Sequence, residues 1–472
     1  MENKKNKSYW VTFKEIFTNI NVISALAITA LLLVFFHFIS TLTLPFIKLP
    51  SNYRSSGSFA DMMNLLAGGG LAKMSWFAVG VGPYITAQIL VQLLSSDLIP
   101  PMSRMAKQGE RGRRKLEIIT RIATLPFCLL QAYAVIAMIL QSGSSSGTSE
   151  GITIFGHSSI SEFSAGEIVS LLLIFTGGTY VCVFIGDIIT KRGVGNGVTL
   201  LILSGIVGSI IPDFTYAFHF IQSKINMSAA TYQLTVALSY ILYLAFFVIV
   251  LMFAIFINGV TRKIPVQQVG QGLSFKTKDL AYLPIKLNPA GVIPVIFASS
   301  IITIPGTIAQ FLPEDNAKWI LQDYFTLNSW VGMALYFVFI ILFSFFYSYV
   351  QINPAQLAEN FEKSGKFIPG VKNGEDTEKQ ITKVLARINW IGAPFLAIIA
   401  ISPYLLSKVT GIPSGLSLGG TGIIIIVSGT LELWNSIKSA STTSGYNVTR
   451  TKIISTFEQE PNSTKGGTTR LW

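Results

Sequence analysis

Ten apolar runs divide this chain, and most are close to the roughly 20 residues that a helix needs to cross a bilayer. They are Asn21–Thr41, Ser75–Ser95, Ile118–Gln141, Gly166–Ile188, Gly197–Ile211, Leu234–Ile257, Pro289–Phe311, Trp330–Val350, Val384–Ile401 and Gly419–Ile437. A backbone facing lipid has no water to bond, so each run is predicted to be a helix. The fifth run is short and Gly-rich, which suits a helix that tilts or packs between neighbours. The pattern predicts an all-α integral membrane protein with ten transmembrane helices.

Polar positions add orientation. Of the 35 Lys and Arg residues, all but Lys48, Arg54, Lys73, Lys224, Lys318 and Lys408 fall on the N-terminus, on alternate loops and their flanks, or on the C-terminal tail. By the positive-inside rule this predicts ten crossings with both termini in the cytoplasm. Two of the basic loops, 258–288 and 351–383, are far longer than topology requires. The predicted organisation is a cytoplasmic N-terminus (1–20), a first five-helix half (21–211), a second (234–437) that carries both long loops, and a cytoplasmic tail (438–472). The basic N-terminus precedes an apolar run too long for a cleaved signal, so that run is read as an uncleaved first crossing.

Between the first two crossings lies Ser58–Lys73, apolar but too short to span. It holds Phe59, Met62, Met63, Leu65 and Leu66, then Gly68, Gly69 and Gly70, which would break a helix. It is either a re-entrant helix enclosed by protein or an amphipathic helix lying on the outer membrane surface.

Composition agrees with a membrane protein: 50% of the 472 residues are hydrophobic and only 12% charged. The net charge of +12 is spread over the predicted cytoplasmic loops beside anionic lipid headgroups, with no RNA-binding signature. Cys128 and Cys182 lie inside apolar runs and read as core residues, and three scattered histidines have no ligand spacing, so neither metal nor cofactor is expected. Gly109–Lys115 is basic and Gly-containing but lacks the spacing that cradles phosphates. Glu167, Asp187 and Glu432 sit near the ends of runs and are expected to reach an interface or pair locally, which weakens a proton-coupled transporter. An enzyme therefore finds no catalytic constellation here.

The second run carries a different signal. Val81, Ile85, Gln88 and Gln92 share one helical face, apolar at its outer end and polar toward the cytoplasm. Two readings remain for that face, a wall beside a partly wet interior or hydrogen bonding within a packed bundle. Faint likenesses between the halves, Gly82-Pro83 opening the second run and Pro289 to Pro294 opening the seventh, suit a five-plus-five repeat.

Together the motifs resemble the SecY family, the channel subunits of the Sec protein translocon. Phe77 to Ile89 with Gln92-Leu93-Leu94 is similar to the family's second helix. Further along come Gly109–Lys115, Ile188 to Gly197, Arg262 to Gln267, Leu283 to Asn288 and Ala290 to Ser300. The series closes with Asn353-Pro354, Ala358-Glu359-Asn360, Lys363-Ser364-Gly365, Phe367 to Gly370 and Gly419-Gly420-Thr421. These occur in family order over nearly the whole chain.

The resemblance implies two pseudo-symmetric five-helix halves around an hourglass pore, closed outside by a short re-entrant plug, which assigns Ser58–Lys73 to the plug. It implies a pore ring of Val81, Ile85, Val198, Ile202, Ile296 and Ile425, and an apolar constriction of this kind excludes ions by dewetting. Two valines, smaller than the family's frequent isoleucine, imply a ring that leans more on its plug. It implies a lateral gate at Thr86, Ile89 and Gln92 on the second helix and Ser300 on the seventh. Asn288 with Pro289 suits a helix N-cap and first turn.

The long loops resemble docking surfaces for a SecA-type ATPase motor or a ribosome, through Arg262, Lys263, Lys276, Lys278, Lys286, Lys363, Lys366 and Lys372. Lys372 stands where the family usually has Arg, keeping the charge but losing the planar fork. The remaining implied partners are SecE-type and SecG-type small membrane subunits, signal sequences of secretory and membrane proteins, and anionic lipids. The implied function is a passive protein-conducting channel of the bacterial plasma membrane. Its alternatives are an accessory channel for a few substrates and a five-plus-five solute transporter.

Overall fold

The computed structural model describes residues 20–48, 63–64, 67–71, 73–95, 100–145, 153–157, 162–225, 230–268, 281–309, 312, 320–321, 324–327, 329–410 and 420–458. The first half contains α1 (Ile20–Thr41), α2 (Gly82–Leu93), the short α3 (Pro100–Lys107), α4 (Glu110–Ser145), α5 (Ala165–Arg192) and α6 (Gly197–Ile225). The second contains α7 (Ala230–Gly259), α8 (Ile293–Ala309), α9 (Trp330–Ile352), the short α10 (Pro354–Lys363), α11 (Glu375–Thr410) and α12 (Gly420–Glu458). Each of the ten apolar runs thus overlaps a helix. Among the described residues, 6 helices are long and apolar enough to cross a membrane, and Gly197–Ile210 and Ile293–Ala309 are shorter apolar helices.

Local chemistry explains several boundaries. Ser164 and Glu167 form a capping box at the start of α5, so Glu167 is spent on its own helix end. Asn353 ends α9 with a left-handed backbone and caps α10, its Oδ1 accepting from Gln356 N at 3.2 Å. Pro354 then fills the first turn of α10, where its missing N–H costs nothing.

Within the first half α4 packs on α2 and α5, α5 on α6, and α1 on both α5 and α6. In the second, α9 packs on α8 and α11, and α12 on α7 and α11. The halves meet where α8 touches α2 and α4, where α12 touches α6 and α1, and where α6 touches α7. Outward positions such as Leu31, Leu173, Phe184, Leu238, Phe256 and Trp390 are exposed and large, as lipid-facing side chains should be. Inside, Cys128 and Cys182 are buried free thiols, Cys128 bonding Thr179 Oγ1 at 3.3 Å. Asp187 pairs with Arg121 at 2.6 Å across α4 and α5, so the local pairing expected of it is met.

The helices depart from the apolar runs in informative ways. The second run is helical only from Gly82; residues 75–81 are turns, with Met74 at φ 47 and Gly80 at φ 59. Ser75 Oγ donates to Gly70 O at 3.2 Å and accepts from Phe77 N at 3.2 Å, so this backbone is satisfied inside protein rather than in lipid. Four helices overrun their apolar runs most: α4 upstream to Glu110, α6 past Pro212 to Ile225, α11 upstream to Glu375 and α12 to Glu458, inside the predicted tail. Hydropathy marks only what lies in hydrocarbon, whereas a helix continues wherever its backbone bonds do.

Two small sheets lie at opposite ends of the bundle. β1 (Ile47–Lys48) pairs antiparallel with β2 (Thr153–Ile154). Leu44, Ile47 and Ile154 pack there with Met63, Ala67, Leu71 and Met74, so the segment after α1 braces the region predicted as plug. At the basic end, β3 (Thr261–Gln268), β4 (Ala281–Lys286) and β5 (Lys366–Phe367) form a sheet of order β4-β3-β5. Gln267 pairs with Phe367 and Gln268 with Lys366, so the two long loops, read from sequence as separate, are one structure.

Ile264, Val266 and Ile285 of that sheet pack on Phe361, Ile368, Ile381, Val384, Leu385 and Ile388. Leu385 is fully buried there. Leu385→Ala is expected to cost about 2–5 kcal/mol. Limited proteolysis of membranes should then show both long loops cut faster together; faster cutting of one alone would separate them.

Candidate channel constriction and gate

Four helices deliver the six residues predicted for the waist. Val81 is the N-cap of α2, and Ile85 N donates back to its carbonyl at 3.1 Å, which stacks Val81 and Ile85 on one face. On α6, Asn196 Oδ1 accepts from Val198 N at 3.1 Å and so sets the first turn, which carries Val198, with Ile202 one turn on. Ile296 comes from the first turn of α8 and Ile425 from the second turn of α12. Val81, Ile85, Ile202, Ile296 and Ile425 are buried members of a single apolar cluster, and Val198 packs against it half-buried. The cluster draws on both halves and carries no charge in these six side chains.

Asn288 is a correction. Because α8 begins at Ile293, Asn288 does not cap it. Its Nδ2 donates to Gly291 O at 2.8 Å and stabilises the turn ahead of the helix, where Gly291 has φ 64.

The residues predicted for the gate lie on α2 and α8, two helices that pack on each other. Thr86, Ile89 and Ser300 are buried, while Gln92 and its neighbour on the same face, Gln88, are half-buried. Thr86 Oγ1 donates to Gly82 O at 3.1 Å, and Ser300 Oγ to Ile296 O at 2.9 Å. Thr303 and Thr307 bond their own helix in the same way. Hydroxyls satisfied within one helix leave little to break when two helices part.

Sequence reasoning missed one member of this seam. Gln131 of α4 is buried, and its Nε2 donates to Thr86 Oγ1 at 3.4 Å. The amide oxygens of Gln131 and Gln92 are buried without a hydrogen-bond partner among the described residues. A glutamine in the middle of the third apolar run was the available signal, but its distance from Thr86 is a tertiary fact.

Of the predicted plug, Met63 is buried, and Gly68 (φ 65) and Gly69 (φ 84) make a left-handed turn that ends any helix there; Gly70 follows without one. Phe59, Met62, Leu65 and Leu66 lie outside the described residues. At the basic end, Arg262, Lys263, Lys286, Lys366 and Lys372 are exposed. Lys263 Nζ sits 4.7 Å from the Tyr282 ring centroid, and Lys363 is paired with Glu359 at 2.6 Å. The Lys372 carbonyl accepts from Thr377 Oγ1 at 2.9 Å, which fixes that loop at the start of α11. Lys276 and Lys278 lie outside the described residues.

Two helical halves that meet in a shared apolar cluster, with large apolar side chains turned outward, describe a multi-pass membrane protein. Comparison with known proteins gives the family. The SecY family model matches residues 75–434. The chain is 50% identical over 446 residues to the protein translocase subunit SecY of Mycoplasmoides gallisepticum, covering 94% of this chain and 87% of that protein. It is 36% identical over 392 residues to the same subunit of Staphylococcus aureus, covering 82% and 86%. Among solved structures it resembles a protein-conducting channel with TM-score 0.64 at 16% identity, covering 90% of this chain and 93% of that one. It also resembles Sec61 in the canine ribosome–channel complex, TM-score 0.61 at 15% identity and the same coverage, a likeness of fold alone. The chain belongs to the SecY family. It is a translocation channel subunit, a multi-pass protein of the bacterial cell membrane, and not an enzyme.

Removing the side-chain amide of Asn288 leaves the Gly291 carbonyl short of a donor. Asn288→Ala is expected to destabilise the detergent-solubilised protein by about 1–3 kcal/mol. Thermal unfolding followed by aggregation would read this, and an unchanged transition would show that the turn holds without the bond.

Proposed function

We propose that this chain conducts unfolded secretory polypeptides through the waist formed by Val81, Ile85, Val198, Ile202, Ile296 and Ile425. Membrane segments and signal sequences leave sideways between α2 and α8. The observation that carries the reading is that these six aliphatic residues, from four helices of both halves, all belong to or pack against one apolar cluster. Branched aliphatic side chains pack tightly when no substrate is present. They also yield to any sequence, because dispersion and hydrophobic contact have no directional demand. When shut, such a constriction sheds water and with it ions.

The segment 58–73 closes the outer side as a plug. Both termini and the joined sheet β4-β3-β5 face the cytoplasm, in keeping with the crowding of Lys and Arg in alternate loops. There Arg262, Lys263, Lys276, Lys278, Lys286, Lys366 and Lys372 meet a SecA-type motor or a ribosome, and the flanking charges meet anionic lipid. Lys363 contributes less than the others, being paired with Glu359. SecE-type and SecG-type subunits cover part of the outer faces. Broad precursor accumulation on depletion separates the general channel from an accessory one, in which only a few exported proteins are lost.

Cysteines at Ile85, Ile202 and Ile296 are expected to crosslink to a secretory chain stalled in transit. If these three stay silent while lipid-facing positions such as Leu173 or Leu238 react, the waist is misassigned. Gln92 carries a second expectation. Gln92→Leu removes a buried unpaired amide oxygen, whose burial costs about 1–3 kcal/mol, and so tightens the closed seam. Export of a reporter series with signals of graded hydropathy should then demand a more apolar signal. An unchanged threshold would move the gate away from this seam.

A further inference from the structure

One backbone-to-backbone contact joins the glycine turn at residues 67–71 to the helix that carries Ile202. The turn lies directly on α6: a methyl group built on Gly205 would fall on the Cα, carbonyl carbon and oxygen of Gly68. A Cβ on Gly69 would stand 3.5 Å from the Gly205 carbonyl oxygen. The opposite wall is Phe36 of α1, whose ring tip would be 3.1 Å from a Cβ on Gly68. Phe36 is held there by stacking on Phe77, with centroids 5.3 Å apart. A third wall is Gly80, where an added methyl would meet the Ala67 backbone. The turn is therefore enclosed on three sides and pressed onto α6 where α6 has no side chain.

Gly205 also lies three residues beyond Ile202, so the two share a face of α6 one turn apart. Glycine within a helix is unfavourable by about 1 kcal/mol relative to alanine, so α6 itself gains nothing from it. The contact with the turn is what requires the missing side chain.

We infer that Gly205 is the seat of the plug, a positioning residue that fixes the plug's base beside the constriction. This rests on the reading of 58–73 as plug. Any Cβ at position 205 forces the turn to retreat on the order of 1 Å, because carbon atoms do not pack closer than about 3.5 Å. The plug then cannot settle against the waist, while the ring and the seam keep their own contacts. The expected result is a channel that leaks ions at rest yet still conducts polypeptide.

The test is ion flux through the full-length chain, purified with its co-purifying subunits and reconstituted in planar bilayers. Gly177→Ala is the control, since Gly177 lies in a helix with nothing within 4 Å of an added methyl. Gly205→Ala is expected to raise resting conductance to nearly that of a channel deleted for 59–71, with polypeptide transport retained. Adding the deletion to Gly205→Ala should raise it no further. If the deletion leaks and Gly205→Ala is as tight as the control, the seat is overturned and the plug reading stands. If the deletion itself does not leak, the plug reading fails and the seat with it. Additive leaks would place Gly205's effect on the ring instead and overturn the inference. Phe36→Ala removes the wall that presses the turn onto α6 and leaves Gly205 untouched. It is expected to leak as well, and it decides the matter should Gly205→Ala fail to accumulate: a tight Phe36→Ala channel would refute the seat.

Discussion

The structure depends on apolar packing between its two halves. Val81, Ile85, Val198, Ile202, Ile296 and Ile425 all belong to or pack against the apolar cluster that both halves build, and none carries a charge or hydroxyl. In lipid no hydrophobic force drives helices together, so closeness is set by packing and by the few polar bonds available. Aliphatic packing between the halves is broken by small helix displacements without leaving polar groups orphaned. The polar residues near the seam follow the same logic, since Thr86, Ser300, Thr303 and Thr307 direct their hydroxyls to their own helices.

Away from the waist the molecule is tied more firmly. The basic end carries a sheet that joins the two long loops over a small apolar core, ending in Ile381, Leu385 and Ile388 of α11. A push on either loop is therefore felt by α11, and α11 packs on α9 and α12. At the other end, β1 and β2 cross-brace the segments after α1 and α4 and bury Leu44, Ile47 and Ile154 beside Leu71 and Met74. Between these ends the halves are held by the apolar packing of the shared cluster.

Much of this was legible beforehand, for identifiable reasons. Apolar runs report the hydrocarbon layer, and ten of them became helices because only a helix satisfies its own backbone there. Asn353-Pro354 entered only as a family motif, and the structure shows the pair capping α10 through local dihedrals and one side-chain bond. The helical starts at Gly82 and Ile293 could not be read, since residues 75–81 and 288–292 lie in apolar sequence and are turned by contacts with distant segments. Asn288 misled for that reason: next to Pro289 it looks like a cap, yet the helix begins four residues later. Gln131 escaped notice because its significance is its proximity to Thr86, 45 positions away.

The sequence alone determined the number of apolar segments, the side on which charge collects and the family motifs that mark waist, seam and loops. These are properties of composition and short-range order, which the bilayer reads segment by segment. The tertiary structure alone decided that two loops share one sheet, that Gln131 stands behind the seam, and that the turn at Gly68 rests on Gly205. Each is a meeting of residues far apart in the chain, chosen by packing in three dimensions, and packing leaves no local trace in the sequence.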